Sequence, residues 1–168
     1  MKCSNCTADI PGSARFCPGC GKPASGNDEP MLRSDVTIDW LAEILREQGY
    51  ETAPRENFSL SLVARHSTQP VMFVGLKPDM SLISLEIGWS LTKPAWGRKT
   101  EFRDALNKAN GQHWLCSFIT SDSLDSIAAS YGLWMCERLS KRDVVGCIEG
   151  FVEGAILAID RSGLSKFS

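Results

Sequence analysis

The chain has 168 residues, 43% hydrophobic and 23% charged, a balance that excludes a disordered polypeptide and leaves room for one ordinary domain plus a small appendage. Its 18 basic and 20 acidic residues leave a formal net charge of −2, without the concentrated basic footprint of a nucleic-acid binder. No run approaches the roughly 18 apolar residues of a bilayer span, and Met1-Lys2-Cys3 lacks the apolar stretch of a secretory signal, so a cytoplasmic protein without membrane contact is expected.

The first element is a metal site. Cys3-Ser4-Asn5-Cys6 and Cys17-Pro18-Gly19-Cys20 form two Cys-x-x-Cys knuckles with ten residues between them. A tight turn aims both sulfurs of a knuckle the same way, and two facing knuckles supply four thiolates in the tetrahedral arrangement that suits Zn²⁺. A segment this short has no core of its own, and a metal takes the core's place. Cys3, Cys6, Cys17 and Cys20 are therefore the expected ligands of one zinc ion. Four thiolates leave no open position for water, so the zinc is expected to be structural, not catalytic.

The stretch Lys2-Cys3-Ser4-Asn5-Cys6, Ile10 to Phe16, and Cys17-Pro18-Gly19-Cys20-Gly21-Lys22-Pro23 resembles the short zinc-ribbon domain at the N-terminus of many bacterial and archaeal proteins. Thr7 stands where that family usually has glycine, which implies a strained or altered first turn. The second knuckle is also similar to that of rubredoxins. The aromatic core those proteins wrap around is here reduced to Phe16, so zinc is expected over iron.

Residues 1–23 are thus read as the ribbon and 24–33, polar and rich in small residues, as a flexible linker. Residues 1–27 carry Lys2, Arg15 and Lys22 against Asp9, a net of +2, so residues 28–168 carry −4. Residues 34–168 form the second domain. Val36, Trp40, Leu41, Ile44 and Leu45 recur at helical spacing, predicting a first helix over about 35–48 capped by Ser34 or Asp35 and stopped by Gly49. Phe58 to Ala64 alternates as a strand, Val71 to Leu76 is a continuous apolar strand, and Leu85, Ile87, Trp89 and Leu91 alternate as a third. A second helix is predicted over about 99–110, with Phe102, Ala105, Leu106 and Ala109 on one face. Two further strands follow, 113–120 and one between 124 and 136, the latter interrupted by Gly132. Ser140, with Asp143 three residues on, begins a long last helix whose face is Val144, Ile148, Phe151, Val152, Ala155 and Ile159.

The order α-β-β-β-α-β-β-α predicts an α+β domain with an antiparallel sheet and segregated helices. Together with Trp40 to Leu45, Gly49-Tyr50 and Leu106-Asn107-Lys108-Ala109-Asn110, it resembles the YbjN family and the related type III secretion chaperone-like fold. That resemblance implies a protein-binding module without catalysis, an adaptor or chaperone-like regulator that holds segments of partner proteins, often as a dimer.

Chemistry beyond the ribbon has little support in the sequence. His66 and His113 lie in no nucleophile motif and read as surface residues, and no nucleotide-binding glycine loop occurs. Asn107 and Asn110 are read as the polar end of a helix. Cys116, Cys136 and Cys147 sit in apolar runs and read as buried, reduced thiols.

Two features are candidates for partner contact. Trp96 lies in a loop with Lys93, Arg98 and Lys99, and tryptophan is enriched at interfaces. Gly146, Gly150 and Gly154 recur every four residues on the last helix, each costing roughly 1 kcal/mol against alanine. Close approach of another backbone is the simplest compensation, either from the domain's own sheet or from a second subunit in a homodimer. The expectation is a non-enzymatic adaptor. A regulator whose ribbon touches nucleic acid comes second, and an enzyme third.

Overall fold

The computed structural model describes residues 2, 6–9, 17–21, 30–92, 97–112, 116–121 and 123–167. Among them, three helices and a six-stranded antiparallel sheet make the α+β fold.

The first helix, α1 (Ile38–Glu47), begins later than its periodicity predicts. Val36 is buried and adopts extended backbone to reach the core. That breaks the helical phase, so Ser34 and Asp35 fall in a separate 3₁₀ turn and Thr37 becomes the cap, its hydroxyl accepting from Trp40 N at 3.2 Å. The helix ends as Gly49 predicts. Gly49 has φ +86°, its N–H bonds Arg46 O, and Tyr50 N–H bonds Leu45 O, the paired closure of a Schellman motif.

The sheet strands are β2 (Glu51–Arg55), β3 (Phe58–Arg65), β4 (Met72–Lys77), β5 (Leu82–Ser90), β6 (Ser117–Thr120) and β7 (Ser126–Trp134), in the lateral order β2-β3-β4-β5-β7-β6. A two-stranded ribbon, β1 (Met31–Leu32) with β8 (Arg138–Leu139), lies outside it and begins at the end of the stretch read as linker. The strand β2 has no counterpart in the predicted order. Its Glu-Thr-Ala-Pro-Arg sequence lacks apolar alternation, and Pro54 suits an edge position where no ladder N–H is needed. Asn57, at φ +62°, closes the hairpin to β3. Gly132 does not interrupt β7: it pairs with Ser84, and a Cβ there would stand 3.0 Å from Leu82 Cδ1.

One face of the sheet is apolar. Leu62 and Ala64, Met72, Val74 and Leu76, Ile83, Leu85 and Ile87, and Ile127 and Ala129 are all buried there, with α1, α2 (Lys99–Gln112) and α3 (Lys141–Ser162) packed over them. Phe102 and Ala109 of α2 are fully buried, and Phe102 meets Phe167 edge to face at 5.5 Å. The predicted apolar face of α3 is buried throughout, and Ser140 caps that helix, its Oγ accepting from Asp143 N at 3.1 Å. No helix among the described residues covers the opposite face of the sheet, which carries small and polar residues together with Phe73, Leu82 and Trp134.

Asn110 has a different role from the one predicted. The helix α2 runs on to Gln112, so Asn110 does not terminate it. Its side-chain amide instead donates to Phe118 O at 3.0 Å and accepts from Phe118 N at 2.7 Å, satisfying the outer edge of β6 as another strand would.

Candidate functional site

Cys6, Cys17 and Cys20 converge: their sulfurs all lie within 4.8 Å of one another, and Cys6 Sγ and Cys17 Sγ are 3.3 Å apart. Tetrahedral coordination with metal–sulfur bonds of about 2.3 Å places sulfurs roughly 3.8 Å apart, so the spacing fits one ion. The remaining predicted ligand, Cys3, lies outside the described residues.

The second knuckle is built for thiolates. Gly19 N–H points at Cys17 Sγ at 3.3 Å, and Gly21, at φ +69°, closes the turn by donating to Cys17 O at 2.9 Å. Gly19 is also required by packing. A Cβ there would stand 2.9 Å from Ala8 Cβ and 3.3 Å from Cys6 Sγ, so the two knuckles approach as closely as they do only because it has none. Cys17 is almost completely buried. In the first knuckle, Thr7 sits at φ +59°, a left-handed conformation that a β-branched residue adopts only under strain. The missing glycine thus marks the strained turn its absence implies.

Of the predicted partner-contact residues, Trp96 lies outside the described residues, as does His113. His66 lies at the surface as predicted but is half-buried: its ring packs on Tyr50 at 5.1 Å and lies 3.4 Å from where a Gly49 Cβ would stand, while its Nδ1 meets exposed Thr68. Burial, with the Glu149 charge, pushes the Tyr50 phenol upward. The three other cysteines diverge. Cys116 is buried, which raises its thiol, and Cys147 is half-buried, with its thiol raised by burial. Cys136 is exposed, against expectation, because Met135 turns into the core and its neighbour must turn out.

The glycine stripe does not pack on the domain's own sheet where its contacts are described. A Cβ on Gly146 or Gly150 would meet nothing within 4 Å. The apolar face of α3 already fills the space over the sheet, which turns these two glycines outward.

The sequence reading missed the open sheet face. Ser61, Gly75, Ser84 and Gly132 are cross-strand partners in one row over β3, β4, β5 and β7. Ser61, Ser84 and Gly132 of this row floor a cavity of about 580 Å³ whose lining includes Arg55, Phe58, Lys77, Leu82 and Glu86. Trp134 is 66% exposed and Phe58 53%. The available signal was the alternation of β5 and β7, whose outward positions are mostly serine, glycine and alanine, with Leu82, Glu86 and Trp134 among them.

No helix among the described residues is long and apolar enough to cross a membrane. No family model matches the sequence. No curated protein matches it either. Among solved structures, the chain is similar to YbjN of E. coli, a protein described as a candidate transcription regulator, with a TM-score of 0.60, 12% identity, and coverage of 79% of this chain and 95% of that one. It is also similar to an uncharacterized protein from Methanothermobacter thermautotrophicus, with a TM-score of 0.59, 14% identity, and coverage of 79% and 100%. The likeness is one of fold: the larger part of this chain has a YbjN-like architecture.

Proposed function

We propose that the protein is a non-enzymatic, cytoplasmic adaptor or chaperone-like regulator that binds other proteins, with a ribbon organised by one structural zinc ion on Cys3, Cys6, Cys17 and Cys20. The observation that carries this reading is the sheet face that no described residue covers, a broad open surface with exposed Phe58 and Trp134 at its margins. Exposed aromatics around a shallow trough suit a protein surface, where such residues supply most of the binding energy. The converging thiols support a site that folds the ribbon and does no chemistry of its own.

Two other readings keep specific support. The outward glycines of α3 favour a second copy as the partner on that helix. The description of the E. coli neighbour favours a regulator whose ribbon touches nucleic acid.

Affinity capture with the zinc-loaded full chain, alongside binding to a generic duplex over a salt series, separates these readings. The adaptor reading expects stoichiometric capture of defined proteins and no duplex binding at physiological salt. Tight duplex binding that falls steeply with salt, with no protein captured, would replace it with the nucleic-acid reading.

A further inference from the structure

The open sheet face has a polarity of its own. Its floor is the row of small residues Ser61, Gly75, Ser84 and Gly132, packed so tightly that a Cβ on Gly75 would stand 2.6 Å from Ser84 Oγ and 3.2 Å from Ser61 Oγ. The row on one side is Phe73, Glu86 and Ser130; the row on the other is Lys77, Leu82 and Trp134. At the β2 end stands Arg55, its guanidinium carbon 4.5 Å from the Phe58 ring centroid and 4.3 Å from that of Phe73. The basic groups therefore stand over β2 and β4, with the exposed Phe58 ring beneath Arg55, and beyond them the face becomes apolar at Leu82 and the exposed Trp134 of β7.

Arg55 is preorganised. Two aromatic rings hold the half-buried guanidinium, and a stacked guanidinium keeps its edge N–H donors for a planar bidentate acceptor such as a carboxylate. Neither Arg55 nor Lys77 takes part in an ion pair among the described residues, unlike Arg98, which pairs with Glu101, and Lys141, which pairs with Glu47. The β2–β4 half of the trough thus carries two cations outside any ion pair, Arg55 at its edge and Lys77 across from Leu82, on a chain whose formal net charge is −2. Glu86, midway along, opposes acidic groups there.

We infer that this trough binds a short segment of another protein with Asp or Glu side chains at one end, over Arg55 and Lys77, and apolar side chains at the other, against Leu82 and Trp134. The inference rests on the protein-binding reading above and names the partner's chemistry. Strands spaced about 4.8 Å apart put β3 and β7 about 14 Å from each other, so the segment is short. Glu86 sets its direction by repelling a reversed segment.

Fluorescence polarisation with two labelled peptides of equal length tests it. One carries Asp and Glu at one end and Leu and Phe at the other; the second has Lys in place of the acidic residues. The zinc-loaded full chain should bind the acidic probe in a salt-sensitive manner and leave the basic probe free. The double variant R55Q/K77Q and, separately, W134A should each weaken binding about tenfold or more with unchanged melting temperature. Equal binding of both probes, no binding of the acidic probe at millimolar protein, or unaltered binding by these folded variants would overturn the inference. If the trough instead takes a second copy, the acidic probe fails and R55Q/K77Q lowers the mass in light scattering. Proteins captured equally by wild type and by the variants would remove the trough and leave the adaptor reading standing. Probe binding with no captured protein would do the reverse.

Discussion

The two parts of this chain reach order by different means. Around the thiols of Cys6, Cys17 and Cys20, the buried apolar material among the described residues is little more than the site itself, with Ala8 packed against it. In the body, a continuous core runs from Val36 to Phe167 and involves every helix and the sheet. The comparison teaches that sequence determinants differ in kind. The first depends on a few exact spacings and backbone conformations, the second on many interchangeable apolar side chains whose periodicity matters more than their identity.

The sharpest way to break the comparison is to remove a thiol. Cys17→Ser should abolish stoichiometric zinc binding, measured by metal analysis, because a structural zinc contributes on the order of 10 kcal/mol to the folding of its own segment. The melting transition of the body should not move.

The converse variant acts on the other region. Phe102 is completely buried against Phe167, so Phe102→Ala should cost about 3–5 kcal/mol of unfolding free energy in denaturant titration. It should leave the zinc content at one per chain.

A smaller effect tests how the sheet ends. Asn110→Ala removes both bonds to Phe118 from the edge of β6, for a loss of about 1 kcal/mol, since water can reach the freed groups. Faster amide exchange at Phe118 is the direct readout.

The smallest effect has the opposite sign. Because a Cβ at Gly150 meets nothing, Gly150→Ala should raise the stability of the monomer by up to about 1 kcal/mol, seen as a higher melting temperature. A loss of stability would show that the stripe is packed after all, and a fall in mass on the same substitution would place a second subunit on it.

Most of the core was legible because its periodicity is strong. The strands from Phe58 to Ala64 and from Leu85 to Trp89, and the α3 face from Val144 to Ile159, follow from alternation or from helical recurrence. The thiol cluster was legible from spacing alone, and the strain at Thr7 from a single missing glycine. What stayed hidden depends on tertiary context. The strand β2 exists because β3 offers it a partner, and its own residues carry no strand signal. The start of α1 is set by the burial of Val36. Asn110 could be read from the sequence as a helix-end residue, and only the position of β6 shows it finishing a sheet edge. The trough was hidden because its floor is defined by residues absent or small at four cross-strand positions, a pattern visible only once the register is known.

The central claim is that zinc orders the ribbon and that the body folds without it. Hydrogen exchange with mass-spectrometric readout, on the zinc-loaded chain before and after chelation by EDTA, addresses it most directly. Amides of residues 6–9 and 17–21 should lose their protection, while residues 30–92 and 123–167 exchange as before. Loss of protection in both regions together, or in neither, would contradict the account.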